Sequence, residues 1–286
     1  MRHIDTQTRL CAVIGNPIEH SLSPAIHNAA YDALGINFVY LAFRVEDLGG
    51  ALAGMRSLEN FRGMSITIPH KLEAIKYVDE IAQVDRHIGS INTVVNEGGR
   101  LIGSNTDGPG ALKALSDAGA DCGKSNILIL GAGGVARAIA FTLAMKADPS
   151  EIALLDIDNK VLAALARDLE KSTDIPIRSA AMSENTLAGF MERADVVIHC
   201  TPVGMHPHTG ESVVPADMFR PGQVVFDVVY TPLETKLLAD AASRGALTIS
   251  GVEMFIGQAV LQFERFTGAD APVDVMRKVV MEHLRS

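Results

Sequence analysis

The stretch Ile127–Ala140, ILILGAGGVARAIA, decides the fold. Four apolar residues run into Gly131-Ala132-Gly133-Gly134-Val135-Ala136, and an alanine-rich segment follows. This reads as a buried parallel strand, a tight glycine turn and the start of a helix. Gly131 permits the turn, Gly133 lets the backbone approach a pyrophosphate, and Ala136 lets helix and strand pack closely. The N–H groups of the helix start then face the phosphates. Asp156 and Asp158 follow at about the ~20-residue offset where an acid meets a ribose hydroxyl. An ordinary strand-to-helix turn shares the glycine pattern. The strand–turn–helix context is what argues for a bound dinucleotide.

Outward from this motif, strands alternate with helical stretches, which predicts parallel sheets. Toward the amino end, strands are expected at Leu10–Gly15, Phe38–Arg44 and Gly63–Ile68, the last ended by Pro69. Helices are expected from Pro24 to Leu34, over Leu48–Ser57 and over Lys71–Ile81, and a hairpin pairs Val94–Asn96 with Leu101–Gly103. Beyond Asp107 come a helix from Gly108 to Ala118 and strands at Ile127–Leu130, Glu151–Leu155, Val196–Cys200, Val224–Asp227 and Leu247–Ile249. Helices Glu253–Phe266 and Val273–Leu284 close the chain. The expected class is α/β with two domains. Residues 1–107, completed by 251–286, form one around a mostly parallel sheet, and 108–250 form a Rossmann-type dinucleotide-binding domain.

The chain has 286 residues, enough for two domains, and 48% hydrophobic with 21% charged residues is ordinary for a globular enzyme. A net charge of −9 with no basic run argues against nucleic acid as a partner. No apolar run approaches the ~18–20 residues of a membrane span. The opening MRHIDTQTRL lacks the apolar core of a secretory leader, so a cytoplasmic location is expected. Cys11, Cys122 and Cys200 are widely spaced and form no metal pattern, which fits a reducing compartment and predicts no metal site.

Four polar clusters stand outside the glycine loop. Ser21 and Ser23 can face the same way in an extended loop and bind an anion with neutral donors; Ser23 could equally cap the following helix. Ser65 and Thr67 share a face if the strand continues past them, ahead of Lys71, while His70 reads as a surface or packing histidine. Asn92 suits a substrate hydroxyl, because an amide donates and accepts, or is a turn residue bonding its own backbone. It belongs with Ser104-Asn105-Thr106-Asp107, where Asp107 could also cap a helix. The fourth cluster joins Asp227–Pro232, with Tyr230, to the turn at Gly251 and the helix carrying Gln258. Its plain readings are a strand-end tyrosine and a helix-surface glutamine.

Together these clusters resemble the shikimate dehydrogenase family. The matching stretches are GNPIEHSLSPAIHN, GMSITIPHK, GSINTVVN, GSNTDGPG, GAGGVARA, TPVGM, DVVYTPLET and the Met254-to-Gln258 helix start, in order from Gly15 to about Gly268. The resemblance implies a substrate domain, a dinucleotide domain and reversible hydride transfer between a nicotinamide cofactor and shikimate, with quinate as a substrate of some members. It implies Ser21 and Ser23 on the substrate carboxylate with Tyr230 nearby, and Thr67, Asn92, Asp107 and Gln258 on the ring hydroxyls. Lys71 and Asp107 become the catalytic pair. Gly131, Gly133 and Gly134 cradle the pyrophosphate, flanked by Ala132, Val135 and Ala136. Thr201, Gly204 and Met205 border the nicotinamide, and Gly251 is placed with the cofactor residues. The chain is expected to be a monomer or homodimer.

Three positions depart from the family pattern. Ser65 stands where an asparagine commonly binds a substrate hydroxyl, which shortens the donor. His199 replaces a frequent asparagine. Asp156-Ile157-Asp158 stands where NADP-using members have Asn-Arg-Thr, so the arginine that would clamp a 2′-phosphate is absent and NAD is favoured over NADP. Two alternatives are a catalytically silent sensor of a shikimate-like ligand and a folate dehydrogenase or cyclohydrolase of similar architecture. The presence of Lys71 and Asp107 weighs against the first, and the Ser21/Ser23 pair against the second.

Overall fold

The computed structural model describes residues 4–284. It divides into two compact units, Met1–Thr106 with Gln258–Ser286, and Asp107–Gly257.

In the first unit the strands are β1 (Arg9–Gly15), β2 (Phe38–Arg44), β3 (Phe61–Ile66), β4 (Glu80–Ile81), β5 (Thr93–Glu97) and β6 (Arg100–Ser104). They form one sheet in the order β2-β1-β3-β5-β6-β4. β1 runs parallel to β2 and β3, β4 runs parallel to β6, and β5 is antiparallel to both neighbours. Helices α1 (Ser23–Leu34), α2 (Leu48–Ser57) and α3 (Gln83–Ile88) belong to this unit. Proline at its start and Gly35 at φ 64° after its end bound α1. One apolar core gathers Ala12 and Ile14 of β1, Leu48 and Leu52 of α2, Met64 and Ile66 of β3, and Val94 of β5.

The second unit holds β7 (Asn126–Leu130), β8 (Glu151–Asp156), β9 (Ile177–Ala181), β10 (Val196–His199), β11 (Val224–Asp227) and β12 (Leu247–Ile249). They form a six-stranded sheet in the order β12-β11-β10-β7-β8-β9, every pair parallel. This is the doubly wound dinucleotide-binding order, and its direction reverses between β7 and β10. Its helices are α4 (Asp107–Asp117), α5 (Gly134–Lys146), α6 (Asn159–Glu170), α7 (Glu184–Met191) and α8 (Lys236–Ser243). β7 and β8 are buried almost end to end, as strands covered on both faces must be. α6 buries Leu162, Leu165, Ala166 and Leu169, a single stripe at helical spacing. The last helices are α9 (Gly251–Thr267) and α10 (Val273–Leu284).

The structure corrects several expectations. β3 ends at Ile66, two residues short of the expected Ile68. The helix expected over Lys71–Ile81 is one 3₁₀ stretch, Glu73–Tyr77, followed by β4. Strands β4 and β9 were not anticipated. Residues 251–257, expected with the first unit, fall in the second. Gly251 is pressed onto the loop after β11, where an added Cβ would come within 2.4 Å of the Val228 carbonyl oxygen. Among the described residues, no helix is long and apolar enough to cross a membrane.

Candidate active site

In the first sheet the expected substrate residues collect at one end. β1 and β3 run parallel and β6 runs with them, while β5 runs against them. The carboxyl ends of β1, β3 and β6 therefore lie with the amino end of β5. From those ends come the 16–24 loop with Ser21 and Ser23, the 67–71 loop with Thr67 and Lys71, the 105–107 segment, and Asn92. Backbone bonds tie the loops together: Asn16 N–H donates to Ile68 O, Thr67 N–H to Ile14 O, and Ile91 N–H to Lys71 O.

A buried polar chain underlies this end. Tyr40 Oη donates to Ser65 Oγ at 2.6 Å, and Ser65 Oγ donates to Gln262 Oε1 at 2.7 Å. Gln262 Nε2 donates to Thr93 Oγ1 at 3.1 Å, and Thr93 Oγ1 donates to Asn92 Oδ1 at 2.8 Å. Asn92 Oδ1 also accepts the Thr106 N–H at 2.8 Å and the Thr106 hydroxyl at 3.1 Å. A backbone N–H can only donate, so the Asn92 oxygen is fixed inward. Asn92 is thus a cross-link between loops rather than a turn residue. The proton of Ser65 is spent on Gln262, so the short donor anticipated for substrate at this position is turned into the protein.

The remaining residues of this unit fall as follows. Ser21 Oγ accepts the Ser23 N–H at 3.4 Å. Ser23 is buried and makes no cap bond at the start of α1, which removes the helix-cap alternative. His70 is buried with Nε2 2.8 Å from Val45 O, a packing histidine. Gln258 is half-buried on α9, one turn before Gln262.

Tyr40 and Gln262 were missed from sequence. The spacing of Gln258 and Gln262, four residues apart on one helix face, was the available signal. His27 stacks on Tyr40 at 4.3 Å within an aromatic nest. Burial of the ring pushes its pKa down to about 3, and the Gln262 side chain offsets only part of that.

In the second unit the expected cofactor residues lie at the carboxyl ends of the strands. Gly131 has φ 108° after β7, and an added Cβ would sit 3.0 Å from Cys200 O. Ala132 and Ala136 are buried and Val135 is half-buried. Gly133 and Gly134 are exposed, with nothing within 4 Å of where a Cβ would be. No side chain caps α5. Its first N–H groups, open space beside them and the helix dipole together fit a pyrophosphate.

Asp156, at the end of β8, accepts the Ala132 N–H at 2.6 Å and the Asp158 N–H at 2.7 Å. Asp158 caps α6, accepting from Lys160 N and Val161 N, so its carboxylate has a structural use. Ile157 between them is 87% exposed.

Thr201, Gly204 and Met205 follow β10; Gly204 has φ 84° and Met205 is exposed. Tyr230 stacks on Phe255 with ring centroids 5.1 Å apart, and burial raises its pKa. Asp107 is buried at the head of α4, followed by Gly108, where a Cβ would collide with Thr142 Oγ1 and Ala138 O of α5. Lys71 and Asp107 thus belong to different units. Among the described residues, no cluster of His, Cys, Asp or Glu could hold a metal ion.

Comparison with known proteins agrees with this layout. The model of the shikimate dehydrogenase substrate binding domain matches residues 13–94, and that of the shikimate 5′-dehydrogenase C-terminal domain matches 251–281. The lactate/malate dehydrogenase NAD binding domain matches 125–218. A shikimate dehydrogenase (NADP(+)) of Moorella thermoacetica is 42% identical over 99% of this chain and 96% of its own. The crystal structure of shikimate 5-dehydrogenase from Listeria monocytogenes, in complex with shikimate and NAD, superposes with TM-score 0.93 at 35% identity over 98% of this chain and 99% of that one. Quinate dehydrogenase from Corynebacterium glutamicum in complex with NAD gives 0.88 at 28% identity over 96% and 99%. With relatives this similar along practically the whole of both chains, the chain belongs to the shikimate dehydrogenase family.

Proposed function

We propose that the protein interconverts shikimate and 3-dehydroshikimate by reversible hydride transfer. The observation that carries this reading is the convergence of Ser21, Ser23, Thr67, Lys71 and Asn92 at one end of the first sheet, in a chain whose second sheet has the dinucleotide-binding order. When bound, the nicotinamide supplies or takes up the hydride. Ser21 and Ser23 bind the substrate carboxylate with neutral donors, which places no anion beside it. Asn92, Thr67 and Gln258 bind the ring hydroxyls. Lys71 holds positive charge where alkoxide character develops, and Lys71 and Asp107 handle the hydroxyl proton. Mixing the protein with shikimate and NAD or NADP, and following reduced-nicotinamide absorbance, tests the reaction. Binding of shikimate without turnover would favour a sensor instead.

We also assign NAD as the preferred cofactor. The Moorella relative is named for NADP, whereas the Listeria structure holds NAD. The assignment is supported by Asp156, whose carboxylate is locked beside the glycine loop by the Ala132 N–H. A 2′-phosphate ~4 Å from it would meet like charge costing about 1–4 kcal/mol. Ile157, exposed where an arginine would clamp that phosphate, brings no donors. The expected kcat/KM for NAD exceeds that for NADP by about tenfold or more, equivalent to ~1.4 kcal/mol. Asp156→Asn with Ile157→Arg should move the preference toward NADP. A wild-type preference for NADP would overturn the assignment while leaving the reaction untouched.

A further inference from the structure

We propose that His199 is a positioning residue that orients the Thr201 hydroxyl, and through it the loop beside the nicotinamide ring. This rests on the reading that the 201–205 loop faces that ring. His199 is the last residue of β10 and is paired with Asp227, the last residue of β11. Its Nδ1 lies 2.9 Å from Asp227 Oδ1. An ionised carboxylate only accepts, so Nδ1 donates to it. The other ring nitrogen, Nε2, is bonded to the Thr201 hydroxyl. Thr201 Oγ1 in turn accepts the Val203 N–H at 3.3 Å.

The far end of this chain is anchored. Asp227 Oδ2 accepts the Thr235 hydroxyl at 2.6 Å, and Oδ1 also accepts the Val229 N–H at 3.0 Å. Asp227, Thr235 and His199 are all buried, whereas Thr201 is half-exposed. The chain of bonds therefore runs from the buried Asp227 through His199 to a single half-exposed hydroxyl, that of Thr201.

Thr201 stands where the sheet order reverses between β7 and β10, which is where such sheets bind ligands. Its Cγ2 lies 3.2 Å from the point a Cβ on Gly131 would occupy, so its methyl faces the glycine turn. With the methyl against Gly131 and the hydroxyl held by His199, the rotamer of Thr201 is fixed. A buried carboxylate–imidazole pair is an expensive way to join two strands that apolar residues could join. What it adds here is direction at Thr201.

Titrations with NAD+ and with ADP-ribose, which lacks the nicotinamide, test this, with NADP+ and 2′-phospho-ADP-ribose run in parallel. The asparagine of His199→Asn can still bond Asp227 but is too short to hold Thr201. It should weaken NAD+ or NADP+ binding by about fivefold or more, while the ribose ligand changes by less than about twofold. Thr201→Val, which keeps the shape and removes the hydroxyl, should show the same selective loss. Should His199→Asn fail to fold, His199→Ser, also too short to reach Thr201, carries the same measurement.

A folded His199 variant that binds all four ligands as the wild type does, or weakens a cofactor and its ribose analogue equally, overturns the proposal. If Thr201→Val is selective and the His199 variant is not, the positioning role alone fails. If neither is selective, the nicotinamide-facing reading of the loop fails with it.

Discussion

Ser65 has one hydroxyl proton, and Gln262 takes it. Ser65→Ala would strand the Gln262 oxygen and take one of two partners from the Tyr40 hydroxyl, at a cost of about 1–3 kcal/mol in urea unfolding. Because the hydroxyl faces inward, the KM for shikimate should change by less than about threefold, short of the factor that a lost bond to substrate brings. A tenfold rise in KM without loss of stability would mean that Ser65 faces the substrate after all. Lys71→Ala should lower kcat by roughly 10²–10⁴ with a modest change in KM, as expected when acid–base catalysis is lost. A folded variant keeping more than about a third of kcat would remove Lys71 from that role. The residues singled out from the sequence were those in short motifs, such as Ser21, Lys71 and Gly131. Gln262 was not singled out, and His199 was marked only as a departure from the family pattern, because each acts through partners distant in sequence: Ser65 lies 197 residues from Gln262, and Asp227 lies 28 from His199. Only the pairing of strands and helices brings such residues together.

Elements with a clear period or an apolar run were legible, and β2, α2, β11, β12 and α10 match their expected bounds. Those without either were not. β9 lies at the sheet edge with no buried residue, so its sequence IRSAA shows neither alternation nor a run. The segment after Pro69 carries apolar residues at near-helical spacing, but only Ala74 of its 3₁₀ turn is buried, and the chain straightens into β4 to pair with β6. Close approach leaves a clearer mark, and Gly251 shows its consequence. Gly251→Ala would drive a Cβ into the Val228 and Val229 carbonyls at the head of α9. Backbone on both sides leaves no side chain to yield, so the expected loss is about 1–3 kcal/mol of stability. Unchanged unfolding would show that this junction relaxes freely.

At the scale of the molecule, acid should be a specific weakness. The His27 pKa falls from an ordinary 6.5 to about 3 on burial, so the unfolded chain binds a proton there that the folded chain refuses. Stability from this group is complete above pH ~6.5 and falls by about 1.4 kcal/mol per pH unit as the pH drops toward 3. His27→Phe keeps a ring on Tyr40 and removes the proton, so its Tm should fall less steeply over that range; parallel curves would exclude His27 as the cause. The central claim is that this fold moves a hydride between shikimate and a nicotinamide. The most direct test uses shikimate deuterated at the carbon that becomes the ketone, incubated with the protein and oxidised cofactor and read by mass spectrometry. The account predicts deuterium in the reduced nicotinamide and 3-dehydroshikimate without it. Shikimate recovered with its label intact, beside cofactor that stays oxidised and unlabelled, would contradict it.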